Sequence, residues 1–387
     1  MPEIRNELTR KGIYINKETD DLSRIALIRE HYSKRIGNID YVMVMLTNDC
    51  NLACDYCIEK KYFSVNCMSE RVINSFFNLV SRGLILLDSN VEFVIYGGEP
   101  LLNTKGLTYF LEKKKVLPNS KCTIVTNGIL LNNSMIEFLK EANVKISISI
   151  DGPKEITDLH RKFRNTNQSV FQKVQDSICR LKESNIIYGM SITITNELIE
   201  KKDLFYSWLE ETNPSAVCFN LIKLAFAHHD AGAVIEYYKL ASDFLIDAHE
   251  KMMLMGIAVK NISRILNFFV DHQPVFADCA AVSLNQITLN TNGDIFGCQC
   301  HMEKNSFFGN VNNLDAFLIP TGCLRWFENL PVFRETCLQC SALPVCGGGC
   351  LVQGEIVFNN NQFVDEGYCE HARNIMKWIL NRVYLSK

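Results

Sequence analysis

The sequence predicts an α/β protein: a partial (β/α)6 TIM-like barrel followed by a small cysteine-rich domain. Three observations support this fold class. Six apolar segments rich in β-branched residues alternate with helical patterns between residues 41 and 225. After Cys279 the strands become short, glycine and cysteine become frequent, and periodicity fades. The chain of 387 residues contains 16 cysteines, which are regularly spaced in two places.

Each predicted barrel strand is a short apolar segment with a helical pattern after it. The predicted strands are Tyr41–Leu46, Val91–Tyr96, Cys122–Val125, Val144–Ile150, Tyr188–Thr195 and Val217–Leu224. The predicted helices are one capped by Ser69, then Leu107–Lys115, Ser134–Ala142, Val170–Ser184 and Lys201–Glu211. Most of these strands are expected to be apolar on both faces, as in a covered parallel sheet. Such barrels carry their chemistry at the carboxyl ends of the strands.

The patterns divide the chain into four predicted regions. These are an N-terminal extension (1–40), the barrel (41–230), a helical bridge (231–272) and a cysteine-rich domain that ends in a helix (273–387). The extension contains a predicted strand at Gly12–Ile15 and a predicted helix at Asp20–His31. Because the short elements of the last region cannot build a large core, we expect metal to hold it together.

Composition limits the compartment and the partners. The net charge of −3 argues against a nucleic-acid binder. The first residues lack the apolar core of a signal peptide, and no apolar segment reaches the roughly 20 residues that span a membrane. We therefore expect a cytoplasmic protein with no nucleic-acid or membrane partner. Since the cytoplasm is reducing, its many cysteines indicate metal binding rather than disulfides.

The first cysteine group, Cys50, Cys54 and Cys57, has the spacing C-x3-C-x2-C directly after the first strand. Three thiolates on one loop can hold three irons of a four-iron cluster and leave the fourth iron open to a substrate. A zinc site is the alternative. It would require a fourth nearby ligand, and Cys67 keeps that alternative open.

This loop resembles the defining motif of the radical S-adenosylmethionine (SAM) superfamily, in which an aromatic residue, here Tyr56, precedes the last cysteine. The resemblance extends over residues 41–225. Gly97, Gly98 and Glu99 match the motif that binds the amino group of SAM in that family. Glycines allow the backbone to approach a ligand closely, and a carboxylate can bind the SAM ammonium.

Two later segments match the family's contacts to the ribose and carboxylate of SAM. The resemblance assigns these contacts to Asn127, Ser149, Asp151 and Arg161. Arg161, placed by its distance from Asp151, is expected to form a fork to the SAM carboxylate. A surface arginine is the alternative interpretation of this position.

The second cysteine group comprises Cys279, Cys298, the run Cys337-x2-Cys340-x5-Cys346-x3-Cys350, and Cys369. Zinc knuckles are one interpretation, because sequence alone does not name the metal. The group also resembles the SPASM domain, which carries auxiliary iron–sulfur clusters in peptide-modifying radical SAM enzymes. That resemblance assigns Cys337, Cys340, Cys346 and Cys369 to a distal cluster. It assigns Cys279, Cys298 and Cys350 to a proximal cluster, whose fourth ligand is Cys300 or a group outside the chain.

Together the resemblances imply three [4Fe–4S] clusters, SAM, an external electron donor such as flavodoxin or ferredoxin, and a peptide substrate. A thioether or carbon–carbon crosslink in a ribosomally made peptide is the favoured product. Residues 1–40 are short for a full leader-binding domain, so leader binding is expected to need a separate protein or a reduced element. In sulfatase maturases, which make formylglycine, the position of Gln299 is an Asp base. Formylglycine formation and a non-catalytic zinc or iron–sulfur protein are the alternatives.

Overall fold

A ten-stranded sheet organises the protein. The computed structural model describes residues 21–222, 230–271, 277–358 and 364–385. The strands lie in the spatial order β10-β9-β8-β1-β2-β3-β4-β5-β6-β7. Their bounds are β1 Asn38–Thr47, β2 Leu86–Gly97, β3 Lys121–Thr126, β4 Lys145–Ser149, β5 Tyr188–Ile194, β6 Ala216–Leu221, β7 Ala258–Val259, β8 Gln286–Leu289, β9 Asp294–Phe296 and β10 Phe307–Asn310.

Strands β1 to β7 are parallel, and helices connect them. The helices before β8 are α1 Asp21–Lys34, α2 Glu70–Ser81, α3 Thr104–Lys114, α4 Asn133–Glu141, α5 Lys154–His160, α6 Val170–Glu183, α7 Asn196–Glu200, α8 Lys202–Thr212, α9 Ala231–Leu254 and α10 Lys260–Asp271. The later helices are α11 Thr321–Glu328, α12 Glu335–Leu338, α13 Leu343–Cys346, α14 Leu351–Phe358 and α15 Glu366–Leu385. The predicted α/β class is confirmed.

All six predicted barrel strands are present, with shifted ends. The largest shift is in β2, which begins at Leu86 rather than Val91. Ser69 caps α2 as predicted, accepting a hydrogen bond from the Val72 N–H at 3.4 Å. The predicted first helix begins at Asp21, while the predicted strand Gly12–Ile15 lies outside the described residues.

Two parallel strands lie beyond the six predicted ones. β7 pairs with β6, and β8 pairs in parallel with β1. Both are two to four residues long, so their sequences contain little periodicity to detect. Through β8, the hairpin β9–β10 continues the barrel sheet, so one sheet runs across the predicted boundary at residue 273.

The two faces of the sheet differ in polarity. The helix-covered face is an apolar core, exemplified by Phe93, which packs against Phe77 and Phe110. The opposite face carries polar groups, including Thr123, whose hydroxyl donates to Glu92 at 2.9 Å. The prediction that most strands are apolar on both faces is therefore wrong for strands such as β4 and β6. No described helix is long and apolar enough to cross a bilayer.

Candidate active site

The residues predicted to contact SAM meet at the carboxyl ends of β1 to β4. Cys50 follows β1, Glu99 follows β2, Asn127 follows β3, and Asp151 follows β4. Parallel strands bring these ends to one rim, and backbone hydrogen bonds join them here. The Glu99 N–H donates to the Asp49 carbonyl at 2.8 Å, and the Asn127 N–H donates to the Glu99 carboxylate at 2.8 Å.

The three thiols of the first cysteine loop are half-buried neighbours. Cys50 Sγ accepts a hydrogen bond from the Leu52 N–H at 3.4 Å. Burial raises the pKa of Cys50 to about 12 and that of Cys54 to about 11, and the nearby Cys57 thiol adds to both rises. Burial also raises the pKa of Cys57. A bound metal must therefore displace all three protons.

The cysteine loop docks on the segment that follows α5. The Ala53 N–H donates to the Lys162 carbonyl at 2.7 Å, and the Asp55 N–H donates to the His160 carbonyl at 3.2 Å. The His160 ring bridges the Asp55 carboxylate at 3.0 Å and the Glu197 carboxylate at 2.9 Å. Burial lowers the pKa of His160, but these two carboxylates outweigh it and the net pKa is raised. His160 thus ties the loop to α7.

Gly97 and Gly98 are required by the chain itself. Gly97 has a φ of +126°, which L side chains rarely adopt. A Cβ on Gly98 would overlap the Asp49 backbone, because the Gly98 N–H already donates to the Thr47 carbonyl at 2.9 Å. The close approach of β2 to the cysteine loop therefore requires both glycines, and their contact with SAM stays a prediction.

Glu99 is fully buried, and protein groups occupy most of its hydrogen-bonding capacity. One oxygen accepts from the Leu101 N–H at 3.0 Å and the Thr126 hydroxyl at 2.7 Å, while the other accepts from the Asn127 N–H at 2.8 Å. Burial raises the pKa of Glu99 to about 7, against the effect of these hydrogen bonds. A carboxylate has about four acceptor positions, so about one remains for the predicted SAM ammonium.

Asp151 and Arg161 form a buried bidentate ion pair. Arg161 Nε and Nη2 donate to the two Asp151 oxygens at 2.9 and 3.0 Å. The Thr193 N–H donates to the same carboxylate at 3.1 Å, and the Tyr56 hydroxyl also donates to it. The two nitrogens Nε and Nη2 of Arg161 therefore bind the Asp151 carboxylate rather than an open space in the site. Nη1 is the part of the Arg161 guanidinium outside this pair.

Asn127 and Ser149 complete the predicted contacts. Asn127 Nδ2 donates to the Asn51 Oδ1 in the cysteine loop at 2.6 Å, and the Asn127 Oδ1 accepts from the Ile129 N–H at 3.1 Å. Ser149 is half-buried at the end of β4, on the face opposite the helix-covered core. Asn127 therefore fixes the rim of the site, while Ser149 lines it.

The four cysteines predicted to bind the distal cluster come together. Cys337 and Cys340 flank the end of α12, Cys346 ends α13, and Cys369 lies on α15. Burial raises the pKa of Cys346 to about 12, and the thiols of Cys369, Cys337 and Cys340 add to the rise. Residues up to 32 positions apart in sequence thus form one group of thiols.

Two of the three predicted proximal ligands lie on touching loops. The Asp278 N–H, beside Cys279, donates to the Gly347 carbonyl at 2.9 Å, close in sequence to Cys350. Cys298 follows β9, where its thiol adds to the rise that burial causes in the pKa of Cys323 and in that of Glu59. The fourth ligand of this set stays open.

Comparison with known proteins gives a family for the barrel. Residues 44–204 match the model of the radical SAM superfamily. The chain contains a radical SAM domain. This range includes the three-cysteine loop and every predicted SAM contact, and it includes none of the second cysteine group.

Relatives and solved structures extend the likeness beyond the radical SAM domain. The radical SAM cyclopropyl synthase TigE of Paramaledivibacter caminithermalis is 23% identical over 98% of this chain and 83% of its own length. A cysteine-type anaerobic sulfatase-maturating enzyme of Clostridium perfringens strain 13 is 23% identical, over 79% of this chain and 86% of its own.

Two solved structures share the fold. The maturase anSMEcpe with bound SAM and the Kp18Cys peptide has a TM-score of 0.73 at 19% identity, covering 89% of this chain and 98% of its own. Streptococcus suis SuiB bound to its precursor peptide SuiA has a TM-score of 0.59 at 14% identity, covering 92% and 84%. The predicted architecture of a partial barrel with a C-terminal SPASM-type part is therefore confirmed at the level of fold.

The first cysteine loop of the radical SAM domain fits an iron–sulfur cluster. Among the described residues, no three Cys, His, Asp or Glu side chains are grouped tightly enough to hold a single metal ion. The three thiols are nevertheless close together, since Cys54 and Cys57 add to the rise in the pKa of Cys50 that burial causes, and Cys57 adds to that of Cys54. Three separated thiolates on a loop suit a multi-iron cluster with one open iron better than one tetrahedral ion.

Glu59 is a candidate functional residue that the sequence analysis missed. It is 3% exposed, and neither carboxylate oxygen has a hydrogen-bond partner among the described residues. Burial raises its pKa to about 8, and the Cys298 thiol adds to the rise. The sequence analysis missed Glu59 because a charged residue in a short loop usually faces solvent. Its position two residues after Cys57 was the only sequence feature that linked it to the site.

The five cysteines outside the predicted metal sites differ in burial. We expected Cys67, Cys122, Cys179, Cys218 and Cys323 to be buried. Cys122 and Cys323 are buried, while Cys67, Cys179 and Cys218 are exposed, so the expectation is wrong for those three. Cys218 alternates along β6 with the core residues Val217 and Phe219, and therefore lies on the polar face.

Proposed function

We propose that this chain is a radical SAM peptide maturase with three [4Fe–4S] clusters. The SAM-binding cluster is held by Cys50, Cys54 and Cys57. The distal and proximal auxiliary clusters are held by the two sets of C-terminal cysteines. The product is a thioether or carbon–carbon crosslink in a ribosomally made peptide.

The cofactors supply the radical, and the protein supplies the site around it. When bound, the reduced cluster and SAM supply a 5′-deoxyadenosyl radical that takes a hydrogen atom from the substrate, and the auxiliary clusters supply an acceptor for the electron that the substrate then loses. Tyr56 is held by Asp151, and Asn127 holds the cysteine loop through Asn51. These fixed contacts keep the reacting groups in place while the barrel excludes water.

Gln299 is the observation that carries the choice of reaction. Its Oε1 accepts a hydrogen bond from the Gln286 Nε2 at 2.9 Å, which fixes the amide beside Cys298. An amide does not accept a proton at neutral pH, so this position lacks the carboxylate base of the formylglycine-forming enzymes. Crosslink formation is therefore favoured over formylglycine formation.

The relatives support a peptide substrate and carbon–carbon bond formation. TigE is a cyclopropyl synthase, and a cyclopropyl ring closes by a carbon–carbon bond. The solved structure of SuiB holds its precursor peptide SuiA, and that of anSMEcpe holds a peptide named Kp18Cys. Because the SAM-binding cluster must be reduced before each reaction, we also infer a low-potential electron donor such as flavodoxin or ferredoxin.

Mass spectrometry of candidate peptides tests this proposal. The anaerobically reconstituted protein is incubated with SAM, dithionite and the peptides encoded beside its gene. We expect a peptide that has lost two hydrogens, and no change with the Cys50→Ala variant. A hydrazide-reactive aldehyde in a sulfatase peptide would instead show formylglycine formation, and would contradict the interpretation of Gln299. Absence of product with every peptide while SAM is cleaved would contradict the peptide substrate.

A further inference from the structure

A buried arginine lies against the distal cysteine group and is incompletely paired. Arg334 is 5% exposed. Its Nε donates to the Asn329 carbonyl at 2.5 Å, and its Nη1 lies 3.8 Å from Cys337 Sγ. Its Nη2 is buried and has no hydrogen-bond partner among the described residues. Burying a charged donor without a partner is unfavourable. The unpaired Nη2 therefore indicates a hydrogen-bond acceptor that the described residues do not supply.

The surroundings of Nη2 indicate where the missing acceptor lies. On one side is Gly348, whose Cβ position would be 4.0 Å from Nη2. The distal cysteine group is near as well, since Nη1 of the same guanidinium lies 3.8 Å from Cys337 Sγ. The guanidinium therefore lies beside the space that the four distal thiols share.

We propose that Arg334 donates from Nη2 to a sulfur of the distal auxiliary cluster and so raises the reduction potential of that cluster. The inference rests on the proposed function, because it requires the distal cluster to be present. The sulfurs of a cluster bound by four thiolates are anionic and accept charge-assisted hydrogen bonds.

Elementary electrostatics gives the sign of the effect. Reduction adds one negative charge to the cluster, and a fixed cation stabilises the reduced form more than the oxidised form. Hydrogen bonds to the sulfurs, net charge and solvent exposure are the properties that set such potentials. Arg373 also hydrogen-bonds a distal thiol, that of Cys340, but its side chain is 55% exposed. Solvent screens Arg373, so its effect is expected to be smaller.

A redox titration of the full-length protein tests the proposal without any substrate. The Cys50→Ala/Cys54→Ala/Cys57→Ala background removes the SAM-binding cluster and leaves the two auxiliary clusters. Their reduction is followed by electron paramagnetic resonance in this background alone and with Arg334→Gln added. We expect one auxiliary signal to show about a tenfold lower ratio of reduced to oxidised cluster at a fixed potential, which is about 59 mV for one electron. The other signal should not shift.

Three further variants make the result specific. Arg334→Lys keeps the charge and loses the fork, so we expect a shift of about threefold in the same direction. Arg373→Gln should shift the same signal by less than Arg334→Gln. Arg382→Gln, on the same helix as Arg373 but paired with Glu250, should shift neither signal.

The possible failures can be told apart. If the background protein binds iron for fewer than two auxiliary clusters, the proposed function fails before Arg334 is changed. If both clusters are present and Arg334→Gln leaves both potentials unchanged, the inference on Arg334 is overturned and the proposed function stands. If Arg334→Gln loses iron, Arg334→Lys decides: a threefold shift supports the inference and an unchanged ratio overturns it.

Discussion

The barrel and the cysteine-rich region support their cysteine groups in different ways. The barrel buries large side chains such as Phe76, Phe93 and Phe110, and its cysteine loop lies at the edge of that core. The distal region is the part of the chain around the four distal cysteines. Its helices α12 and α13 have four residues each, and a glycine turn, residues 347–349, connects them to Cys350. The barrel can therefore fold around its own core, while we propose that the region around the distal cysteines depends on the cluster that its thiols bind.

The largest expected effect separates the two regions directly. Cys346→Ala should abolish the distal cluster and leave α12 and α13 without a scaffold, because Cys346 ends α13 and its thiol lies close to those of Cys337, Cys340 and Cys369. We expect limited proteolysis to cleave the distal region within minutes while the barrel fragment stays intact.

The matched control is Cys54→Ala in the barrel. It should abolish SAM cleavage and leave the proteolysis pattern unchanged, since the loop is held by backbone hydrogen bonds to Lys162 and His160. Equal protease sensitivity of the two variants would contradict the difference between the regions.

The next largest effect concerns the buried ion pair of the barrel. Asp151→Ala leaves Arg161 buried without its partner and releases Tyr56, so the free energy of unfolding should fall by about 3–5 kcal/mol. Urea denaturation measures this loss. Asp158→Ala, a change to a partly buried carboxylate that contacts Ser169 outside the site, is the comparison variant. A loss below that of Asp158→Ala would show that the pair does not support the site.

A smaller effect tests whether the barrel is stable without metal. Asn132 caps α4 by accepting a hydrogen bond from the Met135 N–H at 2.9 Å. Asn132→Ala should lower the unfolding free energy by about 1 kcal/mol. The loss should be equal in the cluster-loaded and the chelated protein, as measured by urea denaturation. A loss seen only in the loaded protein would mean that the barrel also needs its cluster to fold.

The smallest effect is a dependence on pH at the cysteine loop. Asp55 and Glu197 raise the pKa of His160 above its ordinary value near 6.5, despite burial. The protonated ring therefore adds stability that is fully present below pH 6.5 and is lost as pH rises through the raised pKa. Thermal unfolding of wild type and His160→Gln should differ more at pH 6 than at pH 9. A difference that grows with pH would contradict this sign.

The barrel was predictable from sequence because its strands and helices repeat a strong pattern. The cysteine spacings could likewise be read without coordinates, since metal ligands on one loop are close in sequence. Long-range pairings could not be predicted. The parallel pairing of β8 with β1, the Asp151–Arg161 pair and the buried Glu59 all depend on segments that meet only in the folded chain. The steric need for glycine at positions 97 and 98, where β2 meets the cysteine loop, could not be predicted for the same reason.

The most direct test of the central claim is SAM cleavage in the absence of substrate. Wild type and the Cys50→Ala/Cys54→Ala/Cys57→Ala variant are reconstituted with iron and sulfide, reduced with dithionite and incubated with SAM. We predict that wild type forms 5′-deoxyadenosine, and that the variant forms none although it retains the iron of the C-terminal cysteines. Equal 5′-deoxyadenosine formation by the two proteins, or a wild type that binds zinc and no iron, would contradict the account.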